Sequence, residues 1–164
     1  MRGEGAFAGE HDQQGAGALT VAVGPFLRRH LERVIAIENA CFPREAYPRE
    51  LFLELREECG PYFLVARRGR RIAGYSIASV AGGKAEIVSV AVAPEHRRAG
   101  VATALLRHTL ARLRRARVTA VALMVRPDNA GAIRFYERLG FRAAGRIARY
   151  YEDGSAGLLM KRRG

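Results

Sequence analysis

The residues best suited to chemistry lie between Val88 and Leu106. There an apolar strand meets a loop opened by Pro94, then Arg97-Arg98-Ala99-Gly100-Val101-Ala102 at the head of a helix. Such a turn aims main-chain N–H groups outward at the positive end of a helix dipole, so a pyrophosphate can rest against it without a dedicated side chain. Gly100 permits close backbone approach, and the small Ala102 leaves the path clear. The Lys-Ser/Thr pair of a Walker loop is missing, and so is the G-x-G-x-x-G of a dinucleotide fingerprint. Cys41, Cys59, His11, His30, His96 and His108 keep spacings that suit neither a zinc site nor a disulfide framework, so no metal is expected and both cysteines read as reduced filler. By itself, a glycine near a helix start is an ordinary cap.

The strand before this turn and a second segment further on add weight. Arg97, Gly100 and Ala102 fill a pattern that resembles the Arg/Gln-x-x-Gly-x-Gly/Ala signature of the GNAT superfamily of N-acetyltransferases. The run from Arg126 to Phe141, RPDNAGAIRFYERLGF, is similar to that family's V-R-x-x-N-x-x-A-I-x-x-Y-x-x-x-G-F helix. The resemblance covers about Leu19 to Arg162 and implies acetyl-coenzyme A as cosubstrate. It places the pyrophosphate on Arg97, Arg98, Ala99, Gly100, Val101, Ala102 and Thr103, the pantetheine arm along Val90, Ala91 and Val92, and Asn129 and Tyr136 beside the cofactor. The Phe42-Pro43…Tyr47-Pro48…Leu51-Phe52 loop and the late Arg149-Tyr150-Tyr151-Glu152-Asp153-Gly154 segment look, within the superfamily, like those of the RimI-like acetyltransferases of ribosomal proteins and other protein N-termini. That likeness implies peptide contacts at Phe42, Glu45, Tyr47, Tyr150 and Tyr151.

Acetyl transfer from a thioester needs a neutral amine, a donor for the developing oxyanion and a proton for the departing thiolate. By resemblance Tyr136 is the acid, since a neutral phenol can donate to a thiolate; packing beside Ile133 and Leu139 is its bland alternative. Relatives commonly read L-E-V-R where this chain has Leu123-Met124-Val125-Arg126, so a thioether replaces the carboxylate often assigned as base. Glu86 occupies the position of the glutamate used by histone acetyltransferases of the superfamily, and Glu45 is the reserve. Period-two alternation predicts that Glu86, Val88, Val90 and Val92 share one side of their strand. A weakened base favours an α-amine, roughly one part in ten neutral at pH 7, over a lysine, neutral in about one part in a few thousand.

The elements that must position these groups follow from apolar spacing. A strand is expected over Leu19 to Val23, then a helix opened by Pro25, with Leu27, Leu31, Val34 and Ile35 on one face, ending near Cys41. Pro43 and Pro48 bracket a loop before a second helix through Leu51, Phe52 and Leu55 that stops at Gly60-Pro61. Apolar segments Tyr62 to Ala66, Ile72 to Val80 and Ala85 to Ala93 read as an antiparallel meander. A helix from Gly100 to Arg115, a strand Thr119 to Val125, a helix Asn129 to Leu139 and strands near Phe141 to Ala144 and Leu158 to Lys161 complete the chain. The fold class is α/β (α+β): a mixed, mostly antiparallel sheet with a parallel strand-helix-strand crossover and flanking helices, the GNAT fold by resemblance.

Composition bounds the rest. With 164 residues, 49% of them apolar, the chain suits one domain over 19–164 behind a flexible Gly-rich tail over 1–18. No run reaches the roughly 18 apolar residues of a membrane span, and the start lacks the apolar middle of a signal peptide, so a cytoplasmic protein without membrane contact is expected. The net charge of +12 is nearly all arginine, 26 of 28 basic residues. It fits either G+C-rich codon bias or docking to ribosomes, RNA or acidic peptides. No basic run is interleaved with aromatics as single-strand binders require, and no sequence-specific nucleic-acid partner is expected. The expected activity is acetylation of protein N-termini by direct transfer in a ternary complex, by a monomer or weak dimer. The alternatives are a lysine or small-amine acetyltransferase, and a cofactor-binding or ribosome-binding module without catalysis.

Overall fold

Seven strands form one sheet in the order β1-β2-β3-β4-β5-β7-β6 in the computed structural model, which describes residues 20–164. The expected tail over 1–18 lies outside the described residues. The strands are β1 (Val21–Pro25), β2 (Phe63–Arg68), β3 (Arg71–Ala81), β4 (Lys84–Val92), β5 (Ala120–Val125), β6 (Arg142–Ile147) and β7 (Gly157–Arg163). Every neighbouring pair is antiparallel except β4 and β5, which are parallel and joined through a helix, as the sequence predicts.

Among the described residues four α-helices cover the sheet: α1 (Leu31–Cys41), α2 (Arg49–Cys59), α3 (Val101–Arg115) and α4 (Ala130–Arg138). The α1 and α2 side buries Leu31, Val34, Ile37, Phe52 and Leu55 against Phe63, Tyr75 and Ile77. The opposite side buries Val101, Leu105, Phe135 and Tyr136 against Val90, Val92, Leu123 and Met160. The helix pattern of section Gly100 to Arg115 thus becomes α3, laid across the parallel pair. Among the described residues, no helix is long and apolar enough to cross a membrane.

Two sequence expectations need correction. The first helix does not open at Pro25: that residue ends β1 opposite Leu64, and α1 begins at Leu31 after a short 3-10 turn over Arg28–His30. Proline's fixed φ suits an extended edge strand as well as a first helical turn, and on an edge its missing N–H costs no ladder bond. The second correction concerns β4. Ile77 pairs with Ser89 and Ala78 with Ile87, so Val88 is an extra residue, a β-bulge. Alternation changes phase there. Ala85 and Ile87 share the α3 side with Val90 and Val92, while Val88 and Ala91 face α1. Glu86, paired with Ser79 and Ala122, therefore points away from Val90 and Val92 instead of sharing their side.

Candidate active site

The parallel register of β4 and β5 covers only Lys84–Glu86 against Ala120–Ala122, although β4 runs on to Val92 and β5 to Val125. Beyond Glu86 the two strands diverge, and their divergence opens the sheet between its two helical layers. At the mouth of this gap Gly100 caps α3 with φ 75°, and no side chain caps the helix. Arg98 also has a left-handed φ, 63°, so two residues of the turn bend the main chain into a concave strip of the kind that receives anions. A Cβ at Gly100 would meet nothing within 4 Å, which leaves the concave side open. These features fit the pyrophosphate and pantetheine arm of coenzyme A: a glycine cradle at a helix N-terminus, and a strand edge that β5 has released.

Of the residues assigned to the cofactor, Val90, Ala91 and Val92 are buried in the released part of β4, and Val101 and Ala102 are buried in the first turn of α3. Arg98 is exposed, while Arg97, Ala99, Gly100 and Thr103 are half-buried. Asn129 caps α4, its side-chain oxygen accepting from the Ala132 N–H at 3.1 Å. Tyr136 is fully buried on the same side of the sheet, with Phe135 and Phe141 edge-on at 5.3 and 5.8 Å. It belongs to the apolar cluster that holds Val90, Val92, Val101 and Ala102.

The α1 side of the gap is different. Because α1 and α2 pack on β2, β3 and β4, the sheet beyond them is left as the floor of a groove of about 600 Å³. Glu86, Met124, Ala122 and Tyr150 line it, and Ile147 stands on it 44% exposed. Glu86 and Met124 face the same groove because Glu86 pairs with Ala122, two residues before Met124. Gly157 makes that arrangement possible. A Cβ there would run into the Met124 methyl and the Tyr150 ring, so both side chains settle where one methyl group is missing.

A second groove, of about 490 Å³, runs between the loop over 42–48 and the loop over 148–156, with Glu45, Tyr47 and Tyr151 among its walls. Tyr47 and Tyr151 are buried at 6% and 5% exposure, so each presents an edge rather than a whole ring. Tyr47 stacks edge-on to Phe52 at 5.9 Å. Phe42 is half-buried against the α1 and α2 cluster and lines neither groove. Glu45 turns toward the Arg126 guanidinium at 3.2 Å.

Residues outside the site read from the sequence enter here, Arg126 and Glu38 foremost. Arg126 holds Glu45, donates to Asp153 at 2.9 Å and to Ser155 at 2.8 Å, and lies 4.1 Å above the Tyr151 ring. Hydrogen bonds from the Ser155 hydroxyl and amide, with Arg126 behind them, hold the Asp153 carboxyl down at about 2. Glu38, fully buried on α1, accepts from the Tyr47 N–H at 2.7 Å and from the Tyr75 hydroxyl, which sits 3.1 Å from Ser89 at the bulge. It thereby fixes the 42–48 loop to the strands beneath. Cys41 donates to the Val92 carbonyl at 3.2 Å, and burial pushes its thiol up. An acid at position 38 beside Val34 and Ile37 breaks the apolar face of α1, and that signal could have exposed Glu38. For Arg126 the only local cue was a cation directly after an apolar strand. Among the described residues, no three His, Cys, Asp or Glu side chains gather as a metal site.

Residues 31–141 match the family described as Acetyltransferase (GNAT) family. The chain is 32% identical over 145 residues to the N-alpha-acetyltransferase of Saccharolobus solfataricus, covering 80% of this chain and 86% of that protein. It is similar to the crystal structure of Ard1 from Thermoplasma volcanium, with a TM-score of 0.81 and 31% identity over 87% of this chain and 97% of the other. The ribosomal-protein-S18-alanine N-acetyltransferase of Escherichia coli superposes with a TM-score of 0.78 at 26% identity, covering 88% and 94%.

Proposed function

This chain belongs to the GNAT acetyltransferase family, and on that premise we propose that it acetylates the free α-amine of protein N-termini, ribosomal proteins among the candidates. Relatives named for N-alpha and ribosomal-protein acetylation support this reading. The observation that carries it is the divergence of β4 from β5 between a glycine cradle on one side and, on the other, a sheet-floored groove holding Glu86 beside a second groove walled by two loops. Residues 19–164 act as one catalytic domain.

Acetyl-coenzyme A supplies the acyl carbon as a thioester. The turn over 97–103 would hold its diphosphate through main-chain donors and the α3 dipole, and the edge of β4 that β5 leaves would align the pantetheine arm. On the groove side Glu86 takes a proton from the incoming ammonium, directly or through water. The amine nitrogen would then bond to the acyl carbon as the carbon–sulfur bond breaks, losing its second proton to solvent, while on the α3 side the Tyr136 hydroxyl would give a proton to the leaving sulfur. Both cysteines are poor nucleophiles, since burial raises the Cys41 thiol and pushes Cys59 up to about 11, and a thiol must ionise to attack. That supports direct transfer in a ternary complex.

With Met124 in place of a carboxylate, the site depends on an amine that deprotonates readily. An α-amine near 7.7–8.0 is favoured over a lysine near 10.4 by about 2.5 units, on the order of 3 kcal/mol. Peptides with a free N-terminus should therefore react far faster than N-terminally blocked peptides with an internal lysine, as followed by mass spectrometry. Equal rates on the two would overturn the α-amine assignment.

A further inference from the structure

Arg126 has no part in the acid-base scheme above, yet two loops far apart in sequence converge on it. It closes β5, and its carbonyl accepts the Asn129 N–H at 3.0 Å, so its backbone is built into the turn that leads to α4. Its side chain reaches Glu45 on the 42–48 loop and Asp153 and Ser155 on the 148–156 loop. The partners are 81, 27 and 29 residues away in sequence. These two loops wall the groove of about 490 Å³.

We propose that Arg126 is a positioning residue for the peptide: it latches the 42–48 loop to the 148–156 loop and sets the width of the groove into which the N-terminus enters. The inference rests on the reading of this groove as the peptide's.

The arrangement differs from an ordinary surface ion pair, which contributes little because water screens it and long side chains lose freedom. The Arg126 side chain is 26% exposed and Glu45 28%, so the pair is partly removed from water. One nitrogen of the fork reaches Glu45 while the other serves Asp153 and Ser155, and the plane rests on the Tyr151 ring. A planar fork can hold carboxylates on two loops at once and stack on an aromatic face, whereas an ammonium is a point charge. Asp153 is itself fixed by two hydrogen bonds from Ser155, at 2.9 and 2.5 Å, which keeps it ionised and aimed. The β5 ladder to β7 is made of main chain and does not depend on this side chain. Removing the guanidinium should therefore loosen the loops and leave the sheet.

The test compares Arg126→Ala, Arg126→Lys and the parent, reading peptide KM, kcat, acetyl-coenzyme A affinity by calorimetry and the melting temperature. Arg126→Ala should raise peptide KM roughly tenfold, because loops no longer held together must be ordered anew each time a peptide binds. Cofactor affinity should stay within about twofold, since the glycine cradle lies in another segment. Arg126→Lys should recover only part of the loss. If Arg126→Ala folds poorly, Glu45→Gln and Asp153→Asn each break one arm of the latch and should each raise KM. A lowered melting temperature with unchanged KM overturns the latch alone, as does a parallel loss of cofactor affinity. A parent protein that binds acetyl-coenzyme A but acetylates no peptide overturns the functional reading, and the latch falls with it.

Discussion

On the α3 side of the gap between β4 and β5, the walls are main chain and small residues: the Arg98 and Gly100 bends, Ala99, Ala102 and the released edge of β4. On the α1 side they are side chains: Glu86 and Met124 from strands, and Glu45, Tyr47, Tyr150 and Tyr151 from loops that Arg126 and Asp153 tie together. A site made of backbone depends on local φ and on one glycine, so it holds one invariant ligand whatever side chains surround it. A site made of side chains on loops can change its ligand by changing a few residues while the scaffold stays. On the proposed function, one half would receive the constant cosubstrate and the other a particular peptide. The two proposed proton carriers divide in the same way, Tyr136 on the α3 side and Glu86 on the groove side.

The largest expected effect tests whether chemistry crosses between the halves. Tyr136→Phe should lower kcat about 100-fold with little change in cofactor affinity or peptide KM, since a positioned general acid contributes on this order. An unchanged rate in stopped-flow single turnovers would leave Tyr136 as a packing residue between Phe135 and Phe141. Glu86→Gln should act from the other half and depend on pH. A roughly tenfold loss is expected at pH 6, shrinking toward pH 9 as the α-amine, with its pKa near 7.7–8.0, loses its proton without help. A flat ratio across that range would break the base assignment. The smallest effect should sharpen the contrast. Gly100→Ala meets no neighbour but must adopt φ 75°, a strain of about 1 kcal/mol, so cofactor affinity should fall several-fold by calorimetry while peptide KM stays put. Arg126→Ala is expected to give the reverse split.

Much of the α3 half was legible in the residues. Pro94, Arg97, Gly100 and Ala102 lie within nine residues, and the Asn129 cap and Tyr136 fall within one short helix. The crossover itself followed from apolar periodicity interrupted by glycine. Helix boundaries held where a breaker had one meaning, as at Gly60-Pro61, and failed at Pro25, where a strand edge and a helix start accept the same φ. The direction of Glu86 was misread because a bulge is a property of two strands in register, and β4 alone carries no mark of the extra residue at Val88.

By itself the sequence determined the cradle, the meander, the parallel crossover and the residue types available for acid and base. These depend on turns, caps and side-chain period, which act over a few residues. Only the tertiary structure decided that Glu86 and Met124 look into one groove, that Gly157 leaves space for Met124 and Tyr150, and that Arg126 gathers Glu45, Asp153 and Ser155. Those meetings join segments up to 81 residues apart. Packing of the two layers brings them within reach, and no short-range steric rule encodes that distance.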